Sequence, residues 1–219
     1  MKYFNTLPYV TQKDINGNDI LVNNLVTRAY FLPSLLKNVT VFYDYDIREE
    51  DTAENIAYKY YNDPYRYWLL FYSNNTVDPQ EMWPLSYHTF NKFIISKYKT
   101  DAATYYNVSA NTLQPNQIVE YTQLVTHHYE EKLITYNSEV FEKQVITYTI
   151  DEDTYNTNFD KVVTSTFSNG ISVTKETERR RVSIYDYEYE TNESKRKIQL
   201  LRDTFVNDAE KTFKSLMGA

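Results

Sequence analysis

The residue types that most often carry out catalysis are few in this sequence and are not arranged for it. The chain of 219 residues has three histidines, His88, His127 and His128, and none lies in a context that activates a serine or threonine nucleophile. His127 and His128 are neighbours, so on a β-strand they would point to opposite faces and could not readily bind one metal ion. We therefore expect neither catalytic histidines nor a metal site.

Phosphate and calcium sites are not indicated either. Three glycines in the whole chain do not form a phosphate-binding loop. Asp151, Glu152 and Asp153 lack the spacing and the glycine of a calcium-binding loop, and they do not stand out as a glycosidase pair, so an acidic surface loop is the default interpretation. The sequence predicts a protein that is not an enzyme and uses no cofactor.

Charge and cysteine content argue against further classes of function. The net charge is −7, and the basic clusters at 179–181 and 195–197 lie beside glutamates, which favours a charge-mixed solvated surface over a nucleic-acid interface. The chain has no cysteine, which excludes disulfides and fits a reducing compartment. Because it has neither a signal-peptide pattern nor eighteen consecutive apolar residues, we expect no secreted precursor and no membrane span.

Tyrosine is the unusual component of the composition. The chain contains 23 Tyr, 11 Phe and 2 Trp. Large, stiff, amphipathic rings suit protein interfaces, because they bury much area and lose little side-chain entropy. An aromatic-rich core with solvated hydroxyls explains the same composition equally well. The sequence leaves open whether these rings face a partner or the chain's own core.

A helical pair is the clearest structural signal. A β-branched and aromatic run at residues 39–43 predicts a strand. A capping pattern at 51–54 predicts a helix, since apolar residues follow at spacings of three and four. Asp63 and Pro64 then cap and begin a second helix, apolar on nearly all sides, which stops at residues 73–75.

The flanking segments give coarser signals. Asn16-Gly17 predicts a tight turn in an N-terminal arm. After a third helix at 86–98, residues 100–116 are predicted to be a linker and 118–189 an antiparallel β-rich region, with strands that include 119–125 and 182–189. Residues 192–217 have the spacing of one amphipathic helix, whose apolar stripe is expected to pack against the rest of the chain or another subunit. The predicted segments are an arm (1–39), a module plus helix (40–99), a β-rich region (100–190) and a C-terminal helix (191–219).

Residues 42–85 resemble a LysM module, through Phe42-Tyr43, Glu50-Asp51-Thr52, Ile56-Ala57, Tyr60-Tyr61, the run Asn62 to Trp68, Phe71 and Asn74-Asn75. Such modules have a βααβ fold and typically bind N-acetylglucosamine-containing glycans through two loops. The resemblance implies residual glycan-site candidates at Asp51, Thr52, Asn74 and Asn75. Two features depart from the pattern. Glu50 stands where a glycine is usual. A short strand that would close the module is predicted at Thr76-Val77. The closing strand that the LysM pattern itself expects is replaced by Met82–Leu85 and a helix.

With its flanking helices, the module is similar to the baseplate wedge subunit of contractile-tailed bacteriophages that carries such a module. Ile94–Tyr98, Lys197–Leu201 and Val206–Met217 carry this likeness. It implies an α+β fold with a LysM-like βααβ core, an added helix, a β-rich middle and a C-terminal amphipathic helix.

The same resemblance implies a structural role in the virion. The subunit would be assembled in the host cytoplasm into the tail baseplate, as part of a multi-copy hetero-oligomer, and would clamp neighbouring wedge and inner-baseplate proteins. A peptidoglycan- or glycan-binding module is the alternative. The residues that we predict to contact partners are Tyr65, Trp68, Tyr72, Trp83, Phe205, Phe213 and Leu216.

Overall fold

Strands and helices are mixed along the chain, so the α+β class is confirmed. The strands are β1 (Tyr9–Lys13), β2 (Asp19–Asn23), β3 (Phe42–Asp46), β4 (Thr126–Asn137), β5 (Glu142–Ile150), β6 (Val162–Thr166), β7 (Ser172–Ser183) and β8 (Lys197–Leu201). The α-helices are α1 (Ala53–Tyr61), α2 (Tyr67–Ser73), α3 (Pro79–Met82), α4 (Tyr87–Tyr106), α5 (Pro115–Leu124), α6 (Glu152–Asn156), α7 (Ile184–Ser194) and α8 (Asp203–Met217). The structure is a computed structural model that describes residues 3–27, 31, 40–76, 78–139 and 142–217.

Contacts divide the chain into two units. The first comprises Met1–Ser86 and Asn192–Ala219, and the second comprises Tyr87–Thr191. This division cuts across the four segments predicted from the sequence. The C-terminal segment joins the helical pair in the first unit, whereas the predicted third helix begins the second unit.

The first unit is built on an antiparallel pair of strands, β3 and β8. Phe42 lies opposite Leu201, and Asp46 lies opposite Lys197. Residues 197–201 were predicted as helix, and that prediction was wrong. Pairing with β3 satisfies the backbone groups on one side of this segment, in which Leu200 and Leu201 are almost completely buried, and this tertiary pairing outweighs the local helical pattern.

The predicted short strand at Thr76-Val77 is not the closing strand. Thr76 is not in a strand, and Val77 lies outside the described residues, as does Val39 of the strand predicted at 39–43. Strand β8 closes the pair instead, from the far end of the chain.

Local capping produces the helical pair as predicted. The Thr52 hydroxyl accepts a hydrogen bond from the N–H of Asn55 at the start of α1, over 3.2 Å. Asp63 accepts from the N–H of Tyr65, and Pro64 begins a 3₁₀ turn that leads into α2. The αL conformation of Asn62 (φ +54°) ends α1. Both predicted helix starts are confirmed.

Helix α2 lies at the centre of the core of the first unit. Trp68, Leu69 and Leu70 are consecutive and all buried, which fits a helix that is apolar on nearly all sides. Helix α8 covers the same core with the stripe Val206, Phe213 and Met217. The buried residues of this core are Leu7, Val41, Phe42, Ile47, Ala53, Ile56, Ala57, Tyr61, Trp68, Leu69, Leu70, Leu200, Leu201, Val206, Phe213 and Met217.

The side-chain amide of Asn74 ties the end of α2 to β8. Its Nδ2 donates to the carbonyls of Leu70 (2.7 Å) and Gln199 (2.8 Å), and its Oδ1 accepts from the N–H of Gln199 at 2.7 Å. These bonds satisfy backbone groups of β8 on the side away from β3. Asn74 therefore fastens the closing strand to the helical pair.

Replacing Asn74 by alanine is expected to lower the free energy of unfolding by about 2 kcal/mol, because it leaves the partly buried backbone of Gln199 without its partners. Urea denaturation measures the change. The matched control is Asn75→Gly at the exposed next position, where glycine keeps the positive φ of 50°. Equal losses in the two variants would contradict the tie between α2 and β8.

The second unit combines helices with an antiparallel sheet of order β5-β4-β7-β6. Its small core contains Ala102, Ile118, Tyr121 and Ile184. The predicted β-rich region is confirmed from β4 to β7, and Gly170, with a φ of +84°, makes the predicted turn between β6 and β7. In the first unit, Gly17 makes the predicted turn between β1 and β2 in the same way.

Three predictions in this unit were wrong. Helix α4 continues to Tyr106, so much of the predicted linker 100–116 is helical. The strand predicted at 119–125 falls largely in α5. Pro115 starts that helix, and the Gln117 side chain accepts from the N–H of Gln114 at 2.9 Å. The strand predicted at 182–189 stops at Ser183, which caps α7.

Candidate interaction surfaces

An aromatic cluster joins α2 and α8 inside the first unit. The Trp68 and Phe213 rings lie 4.8 Å apart between centroids, and Tyr3 stacks on Phe213 at 5.4 Å. The hydroxyls of Tyr3 and Tyr72 are 2.8 Å apart. Trp68 and Phe213 are only 3% and 4% exposed. These two predicted interface residues are thus covered by the chain itself, and the aromatic content serves the core at this place.

The other predicted interface residues are partly or fully accessible. Tyr72 and Trp83 are partly buried; Trp83 Nε1 donates to the carbonyl of Asp51 at 3.3 Å. The remaining three are more open: Tyr65 is 53% exposed, Phe205 39% and Leu216 68%. A partner can reach these three residues without unfolding the core.

Phe205 and Leu216 lie on one line along α8. At 100° per residue, Phe205, Ala209, Thr212 and Leu216 fall within a narrow sector of the helix; we call this set the outer row of α8. The sector lies beside the buried stripe of α8. On the other side of that stripe, Arg66 binds Glu210 at 2.9 Å. Arg66, the neighbour of Tyr65, therefore contacts a different flank of α8 from the outer row.

A shallow hollow adjoins the start of the outer row. It has a volume of about 280 Å³ and is lined by Tyr43, Tyr60, Arg202, Asp203 and Thr204. The Arg202 guanidinium carbon lies 5.8 Å from the centroid of the Tyr43 ring. Burial raises the pKa of Tyr43 to about 12, so its hydroxyl stays neutral. The hollow offers aromatic faces and both signs of charge next to Phe205.

The residual glycan-site candidates are largely engaged within the chain. Oδ2 of Asp51 accepts from the Tyr45 hydroxyl (2.7 Å) and from the N–H of Arg48 (2.9 Å). Burial acts to raise the pKa of Asp51, but these hydrogen bonds outweigh it and hold the pKa below its usual value. Thr52 caps α1 and the Asn74 amide is bound to β8, whereas Asn75 is exposed.

The adjacent histidines are closer than predicted. The ladder between β4 and β7 has a β-bulge between Thr126 and His128, and the Nδ1 atoms of His127 and His128 lie 2.8 Å apart. The bulge breaks the alternation of side chains, so the expectation of opposite faces was wrong. His127 stacks on Tyr187 at 3.9 Å, and His128 Nε2 lies 3.1 Å from Glu130. Among the described residues, no group of three potential metal ligands occurs.

The basic clusters bind carboxylates and carbonyls of the chain. Arg179 pairs with Glu131 at 2.7 Å, and Arg180 pairs with both Glu130 and Glu190. Arg181 donates to the carbonyl of Leu124 at 2.8 Å. In the other cluster, the Lys195 side chain donates to the backbone carbonyl of Glu81, and Arg196 pairs with the carboxylates of Glu193 and Glu49. The predicted mixing of charges is confirmed, but the surface is solvated only in part, because the side chains of Arg179 and Arg196 are only 10% and 18% exposed.

The acidic residues 151–153 form the start of a helix instead of the predicted loop. Oδ1 of Asp151 accepts from the N–H of Thr154 over 2.6 Å and thereby caps α6. Hydrogen bonds from Thr154 lower the pKa of Asp151. Glu152 and Asp153 occupy the first turn, where the helix dipole favours negative charge. Their placement has a structural explanation.

Comparison with known proteins identifies a family that this chain matches. The family model for base plate wedge protein 53, a phage family, matches residues 2–158, well over half of the chain. No curated protein sequence matches this chain. Within the described residues, no helix combines the length and apolar character needed to cross a membrane. The matched region contains the helical pair and ends before β8 and α8.

Proposed function

The chain belongs to the phage family of base plate wedge protein 53, and from that premise we propose that it clamps neighbouring wedge and inner-baseplate proteins together in a contractile tail. A structural role in the tail baseplate of the virion follows from the family. The clamping role is the more specific part of the proposal. It needs an accessible apolar surface on a rigid element.

The outer row of α8 meets this need, and it is the observation that carries the proposal. Phe205 and Leu216 are accessible, while the neighbouring stripe Val206, Phe213 and Met217 fixes the helix in the core. An exposed aromatic or aliphatic residue on a rigid helix loses little entropy when a partner covers it. The hollow beside Phe205 provides aromatic and charged groups at the edge of the same surface.

We also propose that β3, α1, α2 and β8 form a LysM-like module that serves as the scaffold of the clamp. Their order is strand, helix, helix, strand, and β3 pairs antiparallel with β8. The second strand would then be separated from the helical pair by an insertion that contains the second unit. Such an insertion explains why the strand that closes the pair, β8, lies so far along the chain from the helical pair.

Glycan binding has less support as the function of the same module. The polar groups of Asp51 and Asn74 are already bound within the chain, and a glycan would have to displace those bonds. Saturable retention on purified peptidoglycan, lost on substitution of Thr52 and Asn75, would favour the glycan-binding alternative over clamping.

Changing both Phe205 and Leu216 to serine is expected to leave the subunit folded and to reduce its incorporation into baseplates roughly thirty-fold or more, the effect of losing one interface hot spot. Mass spectrometry of baseplates purified after infection with phage carrying the change measures the incorporation. Thermal unfolding of the isolated subunit checks the fold.

A matched control is Tyr58→Ser, which removes an aromatic ring that is 62% exposed on α1 of the same unit. This control should be incorporated like the unmodified subunit. Normal incorporation of the double variant, or equal loss in both variants, would rule out the outer row as the clamping surface.

A further inference from the structure

Strand β5 forms one edge of the sheet in the second unit. It pairs with β4 on one side, and within the described part of the chain no strand pairs with its other side. Its nine residues are all exposed except for the last, which is intermediate. A sheet edge of this length presents a row of backbone donors and acceptors to which another strand can bind.

The backbone groups that face outward can be assigned from the ladder. The N–H of Thr177 on β7 donates to the carbonyl of Lys161, on the side of β6. The direction of the backbone N–H and C=O groups alternates from one residue to the next along an antiparallel strand. The backbone groups of Glu176 therefore point to β4, and those of its partner Ile134 point to β7. The neighbour Leu133 then faces β5, where it lies opposite Ile146.

The same alternation along β5 turns the N–H and C=O groups of Lys143, Val145, Thr147 and Thr149 away from the sheet. Gln144, Ile146 and Tyr148 bind β4 instead. The outward groups therefore recur at every second residue along most of the strand.

The side chains of this edge give it little protection against pairing. Natural edge strands usually carry inward charges, proline or bulges that prevent association. In β5 the charges, Glu142 and Lys143, stand at the start of the strand, and residues 145–150 are uncharged, without proline or glycine. Val145, Ile146 and Tyr148 are 46–50% exposed. Such a segment has high β-propensity and is a template for strand addition.

We propose that the occupant of this edge is β5 of a second copy of the chain, paired antiparallel about a twofold axis at Ile146. This register places Val145 opposite Thr147 of the second copy, and Lys143 opposite Thr149 of the second copy. Every outward-facing residue of β5 then has an outward-facing partner, so all of these backbone groups become hydrogen-bonded. The two sheets join into one.

Charge and side-chain pairing support this register. Lys143 lies opposite a threonine and Glu142 lies opposite Ile150 of the second copy, so no like charges face each other. Ile146 meets its own equivalent, and side-chain pairs directly opposite each other are what stabilises a sheet. Gln144 meets Tyr148 of the second copy. The pairing is independent of the outer row of α8, so it can fail without affecting the proposed clamp.

Engineered cysteines test the register, because the chain has no cysteine of its own. In the proposed pairing, Ile146 and its equivalent form a non-hydrogen-bonded pair with Cα atoms about 4.5 Å apart, within the range of a disulfide. Oxidised Ile146→Cys should therefore run as a covalent dimer. Val145→Cys is the matched control, since its equivalent lies about 7–8 Å away across the diagonal. It should stay largely unlinked.

The oligomeric state of the unmodified, full chain gives a second readout. Analytical ultracentrifugation should show a reversible dimer whose fraction rises with concentration. Thr147→Pro removes an outward N–H without removing a bond to β4, and should abolish the dimer. The equivalent change on the opposite edge, Thr164→Pro in β6, should leave it intact. Circular dichroism checks that both variants fold, and the cysteine test remains if they do not.

Several outcomes would overturn the proposal. These are a chain that stays monomeric at high concentration, equal cross-linking of the two cysteine variants, and a dimer that survives Thr147→Pro. A monomer whose β5 amides gain protection from hydrogen exchange only within assembled baseplates would also overturn it, and would assign the edge to a strand of another baseplate protein.

Discussion

Replacing Phe213 by alanine is expected to lower the free energy of unfolding of the first unit by about 3–5 kcal/mol. The ring is only 4% exposed and lies within 6 Å of three other aromatic rings, those of Tyr3, Trp68 and Tyr72. Its removal leaves a cavity that rigid rings cannot refill. Since small domains are stable by about 5–15 kcal/mol in total, this loss removes a large share of the stability and raises the unfolded fraction by a factor of about 100 or more.

Chemical denaturation followed by tryptophan fluorescence measures the loss, because Trp68 packs directly against Phe213. Phe205→Ala on the same helix is the control, and it should change stability by less than about 1 kcal/mol, since that ring is 39% exposed. Equal destabilisation by the two substitutions would contradict the described docking of α8.

The pair of variants also separates folding from assembly. Phe213→Ala should reduce incorporation into baseplates because the subunit unfolds, whereas loss of Phe205 should act on a folded subunit. An assembly defect of Phe213→Ala is therefore not a test of an interface. The sequence predicts both residues as partner contacts, but Phe213 is buried in the core and only Phe205 is accessible.

The helical pair could be predicted because its signals are local. Thr52 caps α1 by accepting from the amide three residues on, and Asp63, followed by Pro64, caps the turn before α2 by accepting from the amide two residues on. Residues within one turn of each other determine these starts. The long apolar run of α2 then predicts that this helix is buried, independently of the sequence of the other segments.

Strand β8 could not be predicted in the same way, because its cause lies far away in the chain. The segment Lys197–Leu201 fits a helical stripe as well as a strand, and pairing with β3, about 150 residues earlier, decides between them. Leu200 and Leu201 are adjacent and both buried, which a strand packed on two sides allows. Sequence periodicity alone contains no information on that partner.

Two missed helices had local signals that could have found them. Pro115 followed by Gln117 matches a helix start, and so does Ser183 with Asp186 three residues on. The β-branched and aromatic residues that follow favoured strands and concealed these caps. Capping residues deserve more weight than composition where the two conflict.

Which apolar residues of α8 face inward also depends on tertiary structure. Phe205 and Phe213 are separated by about 80° around the helix axis, so both fit one broad apolar stripe. The angle at which the helix docks places Phe213 in the core and leaves Phe205 at its margin. A sequence pattern gives the width of the stripe but not its centre.

Replacing Arg179 by leucine is expected to lower the free energy of unfolding of the second unit by about 3 kcal/mol. The side chain is 10% exposed, and its Nε donates to Glu131 at 2.7 Å. Its Nη1 donates to the carbonyls of Thr154 and Thr157, and the guanidinium lies 4.2 Å from the centroid of the Phe159 ring. One arginine thus holds the segment around α6 on the sheet.

Leucine keeps the apolar volume of the side chain but leaves the Glu131 carboxylate without its cation and two carbonyls without their donor. Losing one partner of a largely buried pair costs more than the pair itself contributes, because the remaining charge stays desolvated. Hydrogen exchange should show faster opening of residues 152–159 before the rest of the unit, while urea denaturation measures the total loss.

Arg180→Leu provides the control at the next position of the same strand. Its side chain is 53% exposed and points to the opposite face, where it pairs with Glu130 and Glu190. Solvent and salt screen these pairs, so the loss should stay below about 1 kcal/mol. Equal losses would mean that the three consecutive arginines act only through net charge. A threefold or larger difference would establish that alternate faces of one strand separate a structural arginine from a solvated one.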